Sequence, residues 1–303
     1  MIIVSAATGE FGRLVVECLL DRLPPSEVAV AVRDPAKAHG FAARGVEVRH
    51  GDYDDVDSLR RSFEGADRLL FISSPAWDST QRMVQHRQVI AAAREAKVGL
   101  LVYTSAGGAD VSDQGGLADH HNTEQAIIAS GVPSTMLRHP FYSEMFINAG
   151  LQVAVETGEL TSSTGGRGLN TATRADLAEA AAAILTSDGH ANRGYTFTGP
   201  LWTYPQLAEV LSAVTGRTVV HRDTDVDEGM MAMIGPAIRA GVLERQTEDL
   251  EQILGRPASS LRDMVAAALH DPPSDPGIDG SRDPRSATEA VDSLEMTPGS
   301  RRS

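Results

Sequence analysis

Cysteine is almost absent from this chain, which has a single one, Cys18, in 303 residues. That excludes an internal disulfide and a cysteine-based metal cluster. Long apolar runs are absent too, since none approaches the roughly 18 residues that a membrane span requires. An apolar strand pattern begins at residue 2, so we expect neither a leader segment nor a membrane span. These absences predict a protein of the reducing cytoplasm.

Positive charge is scarce. The sequence has 27 lysines and arginines against 41 aspartates and glutamates, a net charge of −14. Such an acidic body argues against nucleic acid as a partner, because binding to a phosphate backbone depends on clustered basic residues. It does not exclude a small anionic ligand, since the local charge of a pocket can oppose the net charge.

Residues 1–150 alternate short apolar runs with helical patterns. Strands followed by helices at this rhythm predict an α/β fold with a Rossmann-type, doubly wound parallel sheet. Each strand is an unbroken apolar run, as expected when helices cover both faces of the sheet. The predicted strands are Ile2–Ser5, Val28–Val32, Val46–His50, Arg68–Ile72, Leu100–Thr104 and Ser134–Arg138, with helices at 11–22, 35–44, 55–64, 79–96 and 119–130.

The rhythm changes after residue 150. We interpret 1–150 as the Rossmann-type core and 151–270 as a small C-terminal α+β lobe that binds substrate and completes the cleft. Residues 271–303 are rich in Asp, Pro, Ser and Gly and are predicted to form a disordered tail. In the lobe, helices are predicted at 177–186, 204–215, 225–240, 244–254 and 258–269, and short strands at Tyr195–Thr198 and Thr218–His221.

The most informative stretch is Ser5–Gly12, which follows the first strand and opens the first helix. Gly9 and Gly12 match a dinucleotide-binding turn, with Ala6 where the commonest fingerprint has its first glycine. Backbone N–H groups and a helix N-terminus at such a turn can bind a pyrophosphate. The alternative is a tight turn without a ligand, against which its place at the first strand–helix junction argues.

The residue after the second strand selects the cofactor. Arg33 lies 21 residues after Gly12, where an acidic residue would bind the ribose 2′-hydroxyl of NAD. Arginine cannot accept that hydrogen bond but can pair with a 2′-phosphate, and Lys37 adds a second positive charge. We therefore predict NADPH, with two solvated charges as the alternative. Asp34 is expected to cap the helix that follows.

Further cofactor contacts are expected after the later strands, because ligands of such sheets lie beyond the carboxyl ends of the strands. Asp52 is predicted either to accept the adenine amino group or to cap the next helix, and Tyr53 could flank the adenine ring. The residues predicted to line the ribose, the pyrophosphate and the nicotinamide are Ser73, Ser74, Pro75, Thr104 and Ser105.

These motifs resemble the NmrA-like, atypical branch of the short-chain dehydrogenase/reductases, and within it the type 2 NAD(P)H:quinone oxidoreductases. The likeness spans about residues 1–270 and rests on Ala-Thr-Gly-x-x-Gly at 7–12, Val-Arg-Asp-Pro-Ala-Lys-Ala at 32–38, Gln85-His86-Arg87, Tyr103-Thr104-Ser105 and Tyr142-Ser143-Glu144. It implies a Rossmann domain with a small lobe, NADPH in the cleft and hydride transfer to quinones. The cofactor shell that it implies comprises Ala6, Ala7, Thr8, Gly9, Glu10, Phe11, Gly12, Arg33, Ser73, Ser74, Pro75, His139, Pro140, Phe141, Tyr142, Ser143 and Glu144. Arg174, at a helix start facing the cleft, is a further candidate.

Three positions depart from the family pattern. His139-Pro140 stands in place of Asn-Gly, and the proline stiffens a loop that is expected to touch the nicotinamide. Met145 stands in place of an asparagine. Gln125 stands in place of a lysine and so removes a cation.

The usual proton relay of short-chain dehydrogenases is missing. Their Tyr-x-x-x-Lys pair corresponds here to His121-x-x-x-Gln125, and glutamine cannot supply the charge that lowers the pKa of the tyrosine. This disfavours an alcohol dehydrogenase. Quinone reduction demands less, chiefly the positioning of donor and acceptor and a polar group near a quinone oxygen. Tyr142 and His121, with His120 beside it, are the predicted catalytic groups. The alternatives are a packing or cofactor-stacking role for Tyr142 and surface exposure of the histidines.

We therefore predict an NADPH-dependent oxidoreductase that acts on a small quinone-like molecule. Hydride is expected to pass directly, because nothing in the sequence indicates a flavin or a metal site. The main alternative is a regulatory protein that senses the NADPH/NADP ratio with little turnover, and a weaker one is an isomerase or epimerase. Whether the protein acts as a homodimer is left open. His86, in the fourth predicted helix, is expected on the helix surface or at an interface.

Overall fold

The computed structural model describes residues 1–226 and 230–270. Within them the strands are β1 (Ile2–Ser5), β2 (Val28–Val32), β3 (Glu47–His50), β4 (Arg68–Phe71), β5 (Leu100–Ala106), β6 (Ser134–His139), β7 (Phe141–Tyr142), β8 (Glu159–Ser162), β9 (Leu169–Ala172), β10 (Arg193–Thr196), β11 (Leu201–Trp202) and β12 (Val220–Asp223). The α-helices are α1 (Glu10–Leu20), α2 (His39–Ala42), α3 (Val56–Ser62), α4 (Ser79–Glu95), α5 (Ala118–Ser130), α6 (Leu151–Thr157), α7 (Arg174–Thr186), α8 (Tyr204–Thr215), α9 (Met230–Arg239), α10 (Asp249–Leu254) and α11 (Leu261–His270). None of these helices is long and apolar enough to cross a membrane.

Seven strands form one parallel sheet in the order β10-β6-β5-β4-β1-β2-β3. The chain runs outward from β1 to β3 and then returns to the other side of β1 at β4. Such a switch point opens a crevice beyond the carboxyl ends of the strands, where ligands bind. The predicted Rossmann-type parallel sheet is therefore confirmed, and the turn after β1 lies at the switch point.

Alternate residues of each strand serve two separate cores, which explains the unbroken apolar runs. In β1, Ile2 and Val4 belong to the core beneath α1 and α7, while Ile3 belongs to the core beneath α3, α4 and α5. The first of these cores is tight because α7 is rich in alanine. Ala178 and Ala181 are fully buried, and their small side chains allow α7 to lie close against α1.

The later part of the chain adds two small sheets, β11-β9-β7 and β12-β8, and a third core around Trp202. Two elements of this later part belong to the main sheet and its helices: α7 packs on α1, and β10 pairs with β6. The expected strand Tyr195–Thr198 is thus found at Arg193–Thr196, in the core instead of the lobe. The division at residue 150 stays a prediction, and the expected tail at 271–303 lies outside the described residues.

Several predicted helices are shorter than expected. The segment 35–44 forms a 3-10 turn at Pro35–Ala38, which is followed by the four-residue helix α2. The carboxylate of Asp34 caps the start of the 3-10 turn by accepting a hydrogen bond from the amide of Ala36. In the lobe, the segment 244–254 becomes helical only at Asp249. The segment 225–240 is helical at Met230–Arg239, and residues 227–229 lie outside the described part of the chain.

Candidate active site

The turn between β1 and α1 has the geometry of an anion site. Gly9 is the N-cap of α1 and no side chain caps the helix, so its first amide groups are free to bind a phosphate. Gly12 is required by packing, since a Cβ there would lie 2.8 Å from the Cα of Ala7 and 2.9 Å from the carbonyl oxygen of Ala6. Ala6 itself has a positive φ of 51°, in the region where the fingerprint glycine is usual.

A cavity of about 410 Å³ opens beside this turn and extends over the ends of β2, β3 and β4. Arg33 and Lys37 line it and are exposed, and neither has an ion-pair partner among residues 1–226 and 230–270. Two unpaired cations on one rim fit a 2′-phosphate. The further lining residues include Ala6, Thr8, Gly9, Asp34, Asp52, Tyr53, Asp54, Ser74, Pro75, Ala76 and Gln85.

Asp52 and Tyr53 take different places in this cavity. Asp55, and not Asp52, caps α3, because its carboxylate accepts hydrogen bonds from the amides of Asp57 and Ser58. Asp52 therefore keeps a carboxylate at the cavity that can accept an adenine amino group. Tyr53 is buried, and its hydroxyl lies 2.6 Å from Oγ of Ser5 and donates to the carbonyl oxygen of Ile72 at 2.7 Å. Its ring is thus a fixed part of the cavity floor.

The loop after β4 is held by its neighbours through nearly every polar group. The amide of Ser73 donates to Oγ1 of Thr104 at 2.9 Å, and the amide of Ser74 donates to Nε2 of His86 at 2.9 Å. The hydroxyl of Ser74 donates to Gln85. The prediction that His86 lies on the helix surface is wrong, because the side chain is fully buried. Its spacing to the apolar residues Val89, Ile90 and Ala93 on one helical face is the signal that could have placed it inside.

Ser105 is engaged in a buried ion-pair network. Its hydroxyl donates to Glu124 at 2.6 Å, and Arg138 donates to the same carboxylate at 2.9 and 2.8 Å. Glu124 is only 3% exposed, so this network compensates a charge that would otherwise be costly to bury. Gln125, at the position of the missing lysine, is exposed. The hydroxyl of Ser105 is therefore not free to act on a substrate.

The two neighbouring histidines of α5 are not surface groups. His121 is half-buried and its Nδ1–H donates to the carbonyl oxygen of Ala109 at 2.8 Å. His120 lies 2.9 Å, through Nδ1, from the hydroxyl of Tyr103. Burial, together with the nearby charge of Arg82, lowers the pKa of His120 to about 4. His120 is accordingly neutral at physiological pH and can supply no imidazolium proton.

Three aromatic rings meet where β6 ends. The ring of Phe11 lies 5.1 Å from that of His139 and 6.2 Å from that of Tyr142, and His139 also stacks on Phe197 at 5.9 Å. We call Phe11, His139 and Tyr142 the aromatic cluster. Nε2 of His139 is buried without a hydrogen-bond partner among the residues that the structure describes, and burial, with a smaller effect of His120, lowers the pKa of His139 to about 3. The imidazole ring is therefore neutral at physiological pH.

Arg174 joins the aromatic cluster to the phosphate turn. Its guanidinium carbon lies 4.4 Å from the centre of the Tyr142 ring, and its nitrogens pair with Glu10 at 3.3 Å and with Glu144 at 3.4 Å. Burial raises the pKa of Tyr142, so its hydroxyl stays protonated. No hydrogen bond or ring contact in the described ranges joins Tyr142 to His121, and the catalytic role of each stays a prediction.

Two residues of the predicted cofactor shell contact residues of the third core and of β9 instead. Phe141 packs on Phe146 with ring centres 6.1 Å apart, and the hydroxyl of Ser143 lies 2.8 Å from that of Thr171. Pro140 links β6 to β7, so the departure from Asn-Gly joins the main sheet to the small sheet β11-β9-β7. No group of three metal-binding side chains occurs in residues 1–226 and 230–270.

Comparison with known proteins agrees with this geometry. A family model described as NAD(P)H-binding matches residues 6–188. The chain belongs to the NAD(P)H-binding family. It is 34% identical to quinone oxidoreductase 2 of Escherichia coli over 88% of this chain and 98% of that protein. It is 32% identical to an NmrA-like family oxidoreductase of Aspergillus flavus over 88% of this chain and 94% of that protein, which confirms the predicted resemblance.

Two solved structures that are similar to this chain are complexes with NADP(H) or NADPH. The triphenylmethane reductase of Citrobacter sp., in complex with NADP(H), is 37% identical, with a TM-score of 0.84 over 89% of this chain and 100% of that chain. The NADPH complex of the NADPH-dependent quinone oxidoreductase of E. coli is 34% identical, with a TM-score of 0.81 over 89% and 100%. NADPH is thus a ligand of similar folds, and the cavity beside Arg33 fits it here.

Proposed function

We propose that this protein is an NADPH-dependent reductase that passes hydride directly to quinones and similar planar electrophiles, without flavin or metal. The observation that carries the proposal is the pairing of two features on one sheet edge. The cavity is lined by Arg33 and Lys37, which have no ion-pair partner within the described part of the chain, and it fits the 2′-phosphate end of the cofactor. The aromatic cluster lies where β6 ends, at the same edge of the sheet, and Tyr142 is its only partly exposed ring, against which a planar acceptor could pack.

The charges around the aromatic cluster suit an acceptor that needs little acid catalysis. NADPH, when bound, supplies two electrons and one proton as hydride. The neutral His139 and the protonated Tyr142 provide polar edges without a charged acid. A quinone gains one hydride and one further proton to become a hydroquinone, and water or the Tyr142 hydroxyl can provide that proton. The absence of a Tyr/Lys relay is therefore no obstacle.

Arg174 fits a positioning role in this scheme. Its contacts with Glu10, Glu144 and the Tyr142 ring tie the phosphate turn to the 139–144 loop. A cation over the ring face restricts the motion of Tyr142 and directs its hydroxyl. The partly buried guanidinium of Arg174 can also exchange Glu10, which is largely exposed, for a pyrophosphate oxygen.

A triarylmethyl dye cation is a second candidate acceptor. The structural similarity to the triphenylmethane reductase favours it, at a TM-score of 0.84 and 37% identity. Such a cation takes up hydride at its central carbon and needs no proton at all. The acidic chain, with a net charge of −14, also favours a cationic acceptor over an anionic one.

Turnover of both acceptor classes tests the proposal against the sensing alternative. We expect loss of NADPH absorbance with a benzoquinone and with a triphenylmethane dye, in proportion to the enzyme added. A sensor would bind NADPH tightly and oxidise none of it. An isomerase or epimerase would convert its substrate without net loss of NADPH.

Tyr142→Phe separates the two acceptors. If the hydroxyl donates to a quinone oxygen, kcat for the quinone falls about tenfold, because one hydrogen bond to developing charge is lost. The dye has no such oxygen, so its rate stays within twofold. Tyr195→Phe is the matched control, since Tyr195 bonds to His190 outside the site. Equal losses with both acceptors would contradict the assigned role of Tyr142.

The state of Cys18 bears on where in the cell the protein works. Cys18 is half-buried and burial raises its pKa, so the thiol stays protonated and unreactive. We propose that the protein works in the cytoplasm, where NADPH is kept reduced and a free thiol persists.

A further inference from the structure

Two neighbouring side chains of α4, Gln85 and His86, hold the loop that forms one wall of the cofactor cavity. Both are buried, although glutamine and histidine are polar. Consecutive helical residues point about 100° apart, so the two side chains reach the loop from different directions. Neither was expected in the site, and each contacts Ser74.

The hydrogen bonds of His86 define its protonation state. Nε2 accepts from the amide of Ser74 at 2.9 Å, so Nδ1 must carry the proton of the neutral ring. That proton is directed to Oγ1 of Thr123 at 2.8 Å, and the Thr123 hydroxyl donates in turn to the carbonyl oxygen of Asp119 at 2.6 Å. The Thr123 hydroxyl also lies 3.7 Å from Sδ of Met83, a weaker acceptor than the Asp119 carbonyl oxygen. Burial, with smaller effects of His120 and Arg82, lowers the pKa of His86 to about 3, which keeps the acceptor available at physiological pH.

Gln85 holds the other side of the loop. Its side-chain oxygen accepts from the Ser74 hydroxyl, and its amide nitrogen donates to both carboxylate oxygens of Asp54 at 3.0 Å. The Ser74 oxygen also accepts from the amide of Ala76 at 3.1 Å. Gln85 and Asp54 themselves line the cavity. The loop, α4 and the segment after β3 are therefore joined across the cavity wall.

We infer that His86 is a positioning residue for NADPH, which holds the Ser74 loop in the shape that the adenosine half of the cofactor requires. This deepens the proposed function and rests on it for the identity of the ligand. His86 does not line the cavity, so it acts through Ser74 and touches no reacting atom. It should control the affinity for NADPH and not the rate of hydride transfer.

The test is the dissociation constant for NADPH, measured by titration calorimetry on the full chain. His86→Phe keeps a ring against Phe71 and Tyr103 but cannot accept the Ser74 amide. We expect roughly tenfold weaker binding, since a buried amide is left unsatisfied. His86→Gln restores an acceptor at a similar reach and should bind within twofold of the wild type. In acceptor assays, KM for NADPH should rise with His86→Phe while kcat stays within twofold.

A matched control separates positioning from general destabilisation of α4. Val89 lies about one turn further along the helix and is buried in the core that contains Phe71 and Tyr103, and its apolar side chain can form no hydrogen bond with the loop. Val89→Ala should lower the unfolding temperature and leave the NADPH affinity within twofold of the wild type. Thr123→Val, which removes the acceptor of the Nδ1 proton, should weaken NADPH binding about threefold.

The outcomes are distinguishable. Unchanged affinity in both His86→Phe and Thr123→Val overturns the inference, and so does equal weakening in His86→Gln or Val89→Ala. If His86→Phe does not fold, the Thr123→Val result alone decides. Nitrogen NMR of the His86 ring should show the Nδ1-protonated tautomer from pH 5 to 8, and the other tautomer would also overturn it. A wild type that binds NADPH but reduces no acceptor contradicts the proposed function and leaves this inference standing.

Discussion

Replacing Arg33 by alanine is expected to weaken NADPH binding far more than NADH binding. Arg33 and Lys37 are exposed on the rim of the cavity and have no ion-pair partner in the described ranges, so no protein contact is lost in the variant. A fully exposed ion pair contributes only about 0.2–1 kcal/mol. A charge-assisted hydrogen bond that is partly shielded from water contributes about 1.5–3 kcal/mol.

A 2′-phosphate bound at this rim would be shielded from water on one side by the cavity wall, and Lys37 remains in the variant. We therefore expect a loss of about 2 kcal/mol, or roughly thirtyfold in the dissociation constant for NADPH. NADH has no 2′-phosphate, so its dissociation constant should change by less than about twofold. Titration calorimetry with both cofactors gives the two values directly.

Arg262→Ala is the matched control, because it removes one exposed positive charge on α11, outside the cavity. It should leave both affinities within twofold of the wild type. Equal losses for NADPH and NADH in Arg33→Ala would refute the assignment of the 2′-phosphate to this rim. An equal effect of Arg262→Ala would show that only the net charge matters.

Three further predictions concern the core of the site. Gly12→Ala should abolish NADPH binding and lower the unfolding free energy by about 1–3 kcal/mol in urea denaturation, whereas Gly40→Ala, where a Cβ meets nothing within 4 Å, should change neither. Lowering the pH should reduce the unfolding free energy, because the folded-state pKa values of His120 (about 4) and His139 (about 3) lie below the unfolded value of 6.5 and the unfolded chain binds more protons. That loss should amount to about 1.4 kcal/mol per pH unit for each histidine between about pH 6 and 4, and an unchanged slope in the His139→Gln variant would contradict it. Glu124→Gln should lower the free energy of unfolding by about 1.5–3 kcal/mol, because Arg138 loses its charge-assisted hydrogen bonds and keeps, among the described residues, only the longer pair with Asp110 at 3.7 Å, and a loss below about 1 kcal/mol would contradict the network.

The parts of the fold that the sequence predicted are those with a local periodic signal. The apolar runs of β1 and β2 marked the strands, because both faces of a parallel strand are buried. Gly9 and Gly12 marked the turn, because the close approach of helix and strand allows no Cβ at Gly12. Arg33 was found by its distance from that turn along the chain.

The parts that the sequence did not predict depend on contacts between distant residues. The burial of His86 and its bond to Ser74 follow from how α4 packs against the end of β4. The pairing of Ser105 with Glu124 and Arg138 spans three separate elements and leaves no periodic trace. For β10, a short strand at the edge of the main sheet, the sequence pattern predicted a strand but not the strand with which it pairs. Pairings between residues that are far apart in the sequence can be identified only when the order of strands and helices in the fold is known.

The chain's departures from the family pattern have a physical explanation in part. Pro140 is compatible with its place because it joins two strands of different sheets, where no ladder hydrogen bond is required of it. His139 fits because its ring is enclosed by Phe11 and Phe197. Nothing in the structure explains the replacement of asparagine by Met145.

A single-turnover experiment tests the central claim most directly. The wild-type protein is saturated with NADPH, mixed with a benzoquinone in a stopped-flow instrument, and followed at the NADPH absorbance band. We expect one equivalent of NADPH to be consumed per acceptor, in a step that is slowed severalfold when the transferred hydrogen at C4 of the nicotinamide is deuterium. NADPH that binds stoichiometrically and stays reduced with every quinone and dye would contradict the account and indicate a sensor.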